Sequence, residues 1–275
     1  MTDRGDFSRQ SFLGEHSEER LAKTRVAIVG LGGGGSHVAQ QLAHVGLGEF
    51  RLFDHDTIEN SNLNRLVTAT AEDVEKARRK VEILERTIKS IRPWAKVVPV
   101  DKKWMEVHQL LRDVHVVFGC VDSYRARRNL EAACRRFHLP YVDIGMGVKQ
   151  LPSGAYSVSG QMIMTWPGGR CLTCLGFLTE KKLHQEEDNY GDAGAAPQVV
   201  WSNGLLASLA VGAFIQSLTP WHASADEDHI WLTFEGNGQT VAPSLKPRVM
   251  PAGPCRHYGQ PGTIGDPEFE MPVVF

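Results

Sequence analysis

Four polar groups in this chain have the types and spacing of nucleotide chemistry. Asp54-His55-Asp56 follows the strand-like stretch Glu49 to Phe53. Arg65 closes Asn62-Leu63-Asn64-Arg65, Lys80 ends Arg78-Arg79-Lys80, and Asp122 follows the apolar run Val114 to Cys120. Acids that end the strands of a parallel sheet share one edge, and ligands bind in the crevice there. Asp54 is placed to bond a ribose hydroxyl, with Asp56 beside it at the nucleotide edge. Arg65 and Lys80 are suited to neutralising a triphosphate. An acid close to phosphates needs a divalent cation between them, which makes Asp122 the candidate magnesium ligand. Each has a structural alternative: Asp122 as the cap of a helix starting near Ser123, Arg65 and Lys80 as solvated surface charges. His37 and His55 read as structural.

The cradle for such a nucleotide is Gly30-Leu31-Gly32-Gly33-Gly34-Gly35, entered by Arg25-Val26-Ala27-Ile28-Val29. Glycines let the backbone turn sharply and bring N–H groups against phosphate oxygens, and a helix from about Ser36 to Val45 adds its positive end. Gly30, Gly32 and Gly35 satisfy the dinucleotide spacing, while Gly33 and Gly34 fill spacer positions that pattern leaves free. Cys171-Leu172-Thr173-Cys174 has zinc-ligand spacing, with a degenerate site of two free thiols or a redox pair as the alternatives. Five cysteines without a disulfide framework fit a reducing compartment, read as the cytoplasm.

The elements that must position these groups alternate strand and helix. Strands are expected at Arg25–Val29, Glu49–Phe53, Ala95–Val100, Val114–Cys120 and Tyr141–Gly145. Helices are expected over about Asp73–Ile91, stopped by Pro93, with a short one at Met105–Leu111 and another at Ser123–Phe137. The fold class is therefore α/β: a Rossmann-like, mostly parallel sheet with helices on both faces. After Gly147 the pattern becomes antiparallel, with strands in Gly154–Trp166 and a hairpin about Gly236-Asn237-Gly238. Residues 1–24 read as an arm with a short helix, 25–147 as the nucleotide-binding domain, and 148–275 as a β-rich extension. That extension holds a mobile loop, Glu180–Ala196, a buried helix, Val199–Leu218, and an irregular tail. With 275 residues and 42% hydrophobic content the chain can bury a full core. Its net charge of −2 gives no pull toward nucleic acid or an anionic membrane. No apolar run approaches the roughly 18 residues that span a bilayer, and the polar N-terminus does not read as a signal peptide.

On Ser8-Arg9-Gln10, the glycine run with Ser36, Asp54-His55-Asp56, Ser61–Arg65, Lys80, Val121-Asp122 and Arg170–Cys174, the sequence resembles the ThiF/MoeB/HesA branch of the ubiquitin-activating enzyme superfamily over about Ser8–Leu218. The resemblance implies ATP- and magnesium-dependent adenylation of the C-terminal glycine carboxylate of a ubiquitin-like or sulfur-carrier protein with a Gly-Gly tail. It implies that Gly32 and Gly33 above all pack against the nucleotide, that Asn62, Arg65 and Lys80 hold phosphates, and that Asp122 holds magnesium. It also implies a homodimer, in which Arg9 reaches into the neighbouring subunit's ATP site. The family pairs the first CxxC with a second; here the C-terminal region offers Cys255-Arg256-His257, so Cys171, Cys174, Cys255 and His257 are the expected zinc ligands.

Two departures matter. The loop before the long helix, where some members carry a nucleophilic cysteine, has Tyr190 and no cysteine, and Cys120 and Cys134 read as small packing residues. The chain is thus expected to stop at the acyl-adenylate and leave thiol chemistry to a thiol-bearing partner. Leu66 stands where the family often has glutamine, and an apparent insertion precedes Lys80. The alternatives are a relative that dehydrates a carboxylate-bearing adenosine in transfer RNA, a nicotinamide-dependent dehydrogenase, and an inactive ATP-binding scaffold.

Overall fold

The computed structural model describes residues 8–188, 197–222 and 228–251, together with 253, 255, 257 and 258. A 3-10 turn, Ser8–Leu13, and helix α1, Ser17–Lys23, precede strand β1, Arg25–Val29. Then follow α2 (Gly33–Val45), β2 (Glu49–Phe53), α3 (Ala71–Glu75), α4 (Lys80–Ile91), β3 (Lys96–Val100) and β4 (Val116–Gly119). The second half holds α5 (Tyr124–Arg136), β5 (Tyr141–Gln150), β6 (Tyr156–Thr165), α6 (Glu180–Asp188), α7 (Val200–Leu218), β7 (His229–Glu235), β8 (Thr240–Pro243) and α8 (Lys246–Val249).

All eight strands lie in one sheet, in the order β3-β2-β1-β4-β5-β6-β7-β8. The first five are parallel, and the pairs from β5 to β8 are antiparallel. The core accounts for the unbroken apolar runs. Val26 and Ile28 of β1 face one buried cluster with Val38, Leu42, Leu84 and Phe214. Ala27 and Val29 face the other, with Leu130, Ala133 and Leu172. A strand covered on both faces has no polar side to alternate with. The chain builds β2 and β3 on one side of β1, then crosses to build β4 on the other. The order therefore reverses between β1 and β4, and the crevice of such a sheet lies at that reversal.

Several expectations are corrected. The helix expected over Asp73–Ile91 is two helices, broken at Ala77, whose φ is 46°. The break lets the loop after β2 pair with the chain before α4: Ile58 N–H donates to Arg78 O at 2.9 Å and Lys80 N–H to Asp56 O at 3.1 Å. Asp73 anchors the short α3 by accepting from Thr70 N–H at 2.9 Å and from Arg86 at 2.6 Å. Helix α2 starts at Gly33 rather than near Ser36. The boundary drawn at 147–148 falls inside β5. Residues 180–188 of the expected mobile loop form α6; the rest of it, with Tyr190, lies outside the described residues.

Candidate active site

A cleft of about 440 Å3 opens at the reversal, between the C-terminal ends of β1 and β4 and under the first turn of α7. Gly30 turns the chain out of β1 with a φ of +87°, and a Cβ there would come within 2.5 Å of Cys120 O on the neighbouring strand. Gly32 faces open space, with no atom within 4 Å of where its Cβ would be. It is also the N-cap of α2 and brings no capping side chain. The first N–H groups of α2 therefore meet the cleft without a side-chain acceptor, which is a ready anion site.

The cleft brings together Asp54, Asp56, Arg65, Lys80 and Asp122 with the glycine loop. Asp54 accepts Leu31 N–H at 2.7 Å and Asp56 N–H at 2.9 Å, one on each oxygen. Each oxygen keeps a lone pair for a sugar hydroxyl. Burial raises the Asp54 pKa above the usual carboxylate value, against the pull of Lys80 and the two backbone donors. Asp56 accepts from Lys80 Nζ at 2.8 Å. Its burial works to raise its pKa, but the hydrogen bond and charge of Lys80 outweigh that and hold it low. Arg65 donates to Ser61 O and to Asn64 Oδ1, the latter at 3.0 Å.

Asp122 is exposed on the cleft wall. Gln198 Nε2 donates to its Oδ1 at 3.4 Å, and it forms no ion pair among the described residues. The cap of α5 is Ser123, whose Oγ accepts Ala126 N–H at 3.0 Å. The capping alternative for Asp122 is thereby removed. An exposed hard carboxylate on the wall of a phosphate-sized cleft suits magnesium, although the charge of Arg127 also acts on it.

Three expected residues are not on this cleft: Gly35 is buried, with a Cβ there falling 1.9 Å from Gly30 O, and Asn62 and Arg9 lie elsewhere. Asn62 is buried, accepts Glu59 N–H at 3.2 Å and closes the turn before Arg65. Arg9 is exposed on the first 3-10 turn, where Phe12 meets the Trp221 ring at 5.8 Å beyond the far end of α7. Asn203, at the near end of α7, lines the cleft, so the two regions are roughly 20 Å apart along that helix. His37 is partly buried with its pKa lowered by burial, and its ring packs near Gly204.

Other wall residues carry no signal in the sequence. Arg127 is buried and paired with Asp143, and it donates to Ile144 O at 3.1 Å. Asp143 in turn accepts from Tyr141 OH at 3.0 Å. Arg125, Arg127 and Arg128 look alike in the sequence, and only the helix register against β5 distinguishes Arg127. Asn203 would need its carboxamide seen against the glycine loop.

The sulfurs of Cys171, Cys174 and Cys255 all lie within 4.8 Å of one another. Cys171 and Cys174 are 3.5 Å apart, and His257 Nδ1 is 3.4 Å from Cys255 Sγ. Tetrahedral zinc with thiolates at about 2.3 Å sets ligand separations close to these, so the three sulfurs suit that metal, while His257 is near Cys255 but outside the group of mutually close donors. Burial pushes the thiols of Cys120 and Cys134 well up, away from the thiolate form, although Cys120 is only partly buried and lines the cleft. Among the described residues, no helix is long and apolar enough to cross a membrane.

Residues 7–247 match the model of the ThiF family. The chain is 32% identical over 165 residues to the SAMP-activating enzyme E1 of Haloferax volcanii, covering 59% of this chain and 57% of that protein. It is 29% identical over 208 residues to ubiquitin-like modifier-activating enzyme 5 of Drosophila virilis, covering 70% of this chain and 50% of that protein. The chain thus spans about half the length of the curated relatives it matches. The crystal structure of E. coli MccB with ATP superposes with a TM-score of 0.68 at 20% identity, over 89% of this chain and 73% of that one. At that identity the likeness shows the α/β fold.

Proposed function

The chain belongs to the ThiF family, and from that premise we propose that it uses ATP to adenylate a carboxylate, that of the C-terminal glycine of a small ubiquitin-like or sulfur-carrier protein, with release of pyrophosphate. The observation that carries this reading is the convergence of Arg65, Lys80, Asp122 and the uncapped start of α2 on one cleft. A carboxylate oxygen forms a bond to the α-phosphorus as the bond to the bridging oxygen breaks, and the electron pair leaves with pyrophosphate. The nucleophile is already ionised, so no general base is required. What opposes reaction is like-charge repulsion, which Arg65, Lys80 and the N–H groups of α2 offset while holding the phosphates in place. A magnesium ion on Asp122 would neutralise charge on the departing pyrophosphate.

The strand pattern supports an extended polypeptide tail as substrate. β5 pairs with β6 along its whole length but with β4 only through Tyr141–Asp143. Past Asp143 its other edge has no strand partner among the described residues. Pro140 O and Ile144 O point to that side, toward Val117 N–H and Arg127, and by alternation so do the backbone groups of Met146 and Val148. A tail running antiparallel to β5 would pair there with its carboxylate leading into the cleft. Relatives named for activating SAMP and a ubiquitin-like modifier support a small protein as that substrate.

The upward push of burial on the Cys120 and Cys134 thiols supports a reaction that ends at the acyl-adenylate, with a separate thiol-bearing partner downstream. Arg9, remote from its own cleft, is assigned to the cleft of a second copy in a homodimer, and zinc to Cys171, Cys174, Cys255 and His257. The test uses small ubiquitin-like proteins ending in Gly-Gly as probes. Labelled pyrophosphate should exchange into ATP only with a probe whose terminal carboxylate is free, and single turnover should yield AMP. Exchange indifferent to the probe, or ADP as product, would overturn the reading.

A further inference from the structure

Helix α5 starts beside the cleft and ends, roughly 20 Å away, among the cysteines. Near that end it carries Glu131 and Arg135, four residues apart and each 1% exposed. Charges withdrawn from water so completely persist only where their hydrogen bonds are well used. The contact between the two is their weakest, at 3.5 Å. Arg135 Nη1 donates to Trp166 O at 2.6 Å and Gly169 O at 2.8 Å, and Nη2 to Arg170 O at 2.9 Å. All three carbonyls lie within the five residues before Cys171. The Glu131 carboxylate accepts the N–H of Leu172, the next residue after Cys171, at 3.0 Å, and the Thr165 hydroxyl at 3.2 Å. From the other side Tyr258 OH donates to Arg135 O at 3.4 Å, tying the segment with Cys255 and His257 to the same helix end.

We propose that Glu131 and Arg135 are positioning residues of the cysteine cluster, fixing the backbone on both sides of Cys171 so that its sulfur meets Cys174 and Cys255 before metal arrives. The proposal rests on the zinc reading. An ion pair that merely filled the core would spend its strongest hydrogen bonds within the pair. Here both groups spend them on the loop that carries the ligand. Outer-shell partners of this kind are typically worth about 10–100-fold in metal affinity.

The test uses the full chain, with Arg135→Lys, which keeps the charge but loses the planar fork, and Glu131→Gln, which keeps the shape but turns one acceptor into a donor. Zinc affinity is measured by chelator competition, the ligand field by the spectrum of the cobalt-loaded protein, and melting with and without metal. Both variants should bind zinc about 10–100-fold more weakly, with an altered cobalt spectrum and a smaller rise in Tm on adding zinc. Should Arg135→Lys fail to fold, Glu131→Gln decides. Zinc affinity within about threefold of wild type, with equal Tm losses in metal-free and loaded forms, would overturn the proposal alone. A wild-type chain that retains no zinc would remove the zinc reading and this proposal with it.

Discussion

Lys80 Nζ lies 2.8 Å from the Asp56 carboxylate, and the lysine is 8% exposed while its partner stands at the rim of the cleft. A buried ammonium needs an anion, and Asp56 supplies one in the absence of nucleotide. Phosphate must then compete with Asp56 for the same cation. Asp56→Asn should leave ATP affinity undiminished, whereas Lys80→Met should weaken it by about tenfold or more, roughly 1.4 kcal/mol. Calorimetric titration of both variants checks this. Equal losses would mean that Asp56 itself holds the nucleotide.

Gly33 leaves room for Asn203 at the cleft wall. A Cβ on Gly33 would come within 2.4 Å of Asn203 Nδ2, and that amide is fixed by donating to Val199 O at 3.1 Å. Gly33→Ala should cost about 1–3 kcal/mol by overpacking, read by urea unfolding. Asn203→Ala in the same chain should recover part of it. Strict additivity of the two substitutions would contradict the contact.

Acid should loosen the loop between β2 and α4 through Asp73. Its carboxylate is 1% exposed and bonded to Arg86 at 2.6 Å and 2.8 Å. The Arg86 hydrogen bond outweighs burial and holds its folded pKa far below the unfolded value. A depressed carboxylate pKa gives stability that is fully present above the unfolded value of about 3.9 and lost progressively as pH falls from there through the lower folded value. The stability gap between wild type and Asp73→Asn should therefore be steady from neutral pH to about pH 5 and shrink below about pH 4. A gap that does not change with pH would rule out the ion pair as its source.

Much of this was legible because it is local. The run Arg25–Val29, the glycines and Asp54 announce a strand, a turn and a strand-end acid within thirty residues, and a doubly buried strand cannot hide its composition. The break at Ala77 was not legible. The apolar spacing of Val81, Leu84 and Ile88 extends smoothly backward, and only pairing of residues 78–80 with the loop after β2 interrupts the helix. Arg127 and Asn203 were missed for a related reason. Their partners, Asp143 and Gly33, are distant in sequence, and Arg127 does not differ in type from the exposed Arg125.

The free edge of β5 gives a test of how the substrate is read. The Val148 N–H faces away from β6, so proline there removes an edge donor without breaking the ladder. Val148→Pro should raise KM for a Gly-Gly-terminated protein about tenfold and leave ATP binding unchanged. An unchanged KM would place the tail elsewhere.

The convergence of Arg65 and Asp122 on one cleft is tested most directly by substrate-dependent ATP–pyrophosphate exchange in Arg65→Ala and Asp122→Ala. Each should lose about 10²–10³-fold in exchange rate while circular dichroism and Tm stay at the wild-type values, and the residual activity of Asp122→Ala should require more magnesium. Undiminished exchange in Asp122→Ala would contradict the assignment of that wall to ATP and its metal.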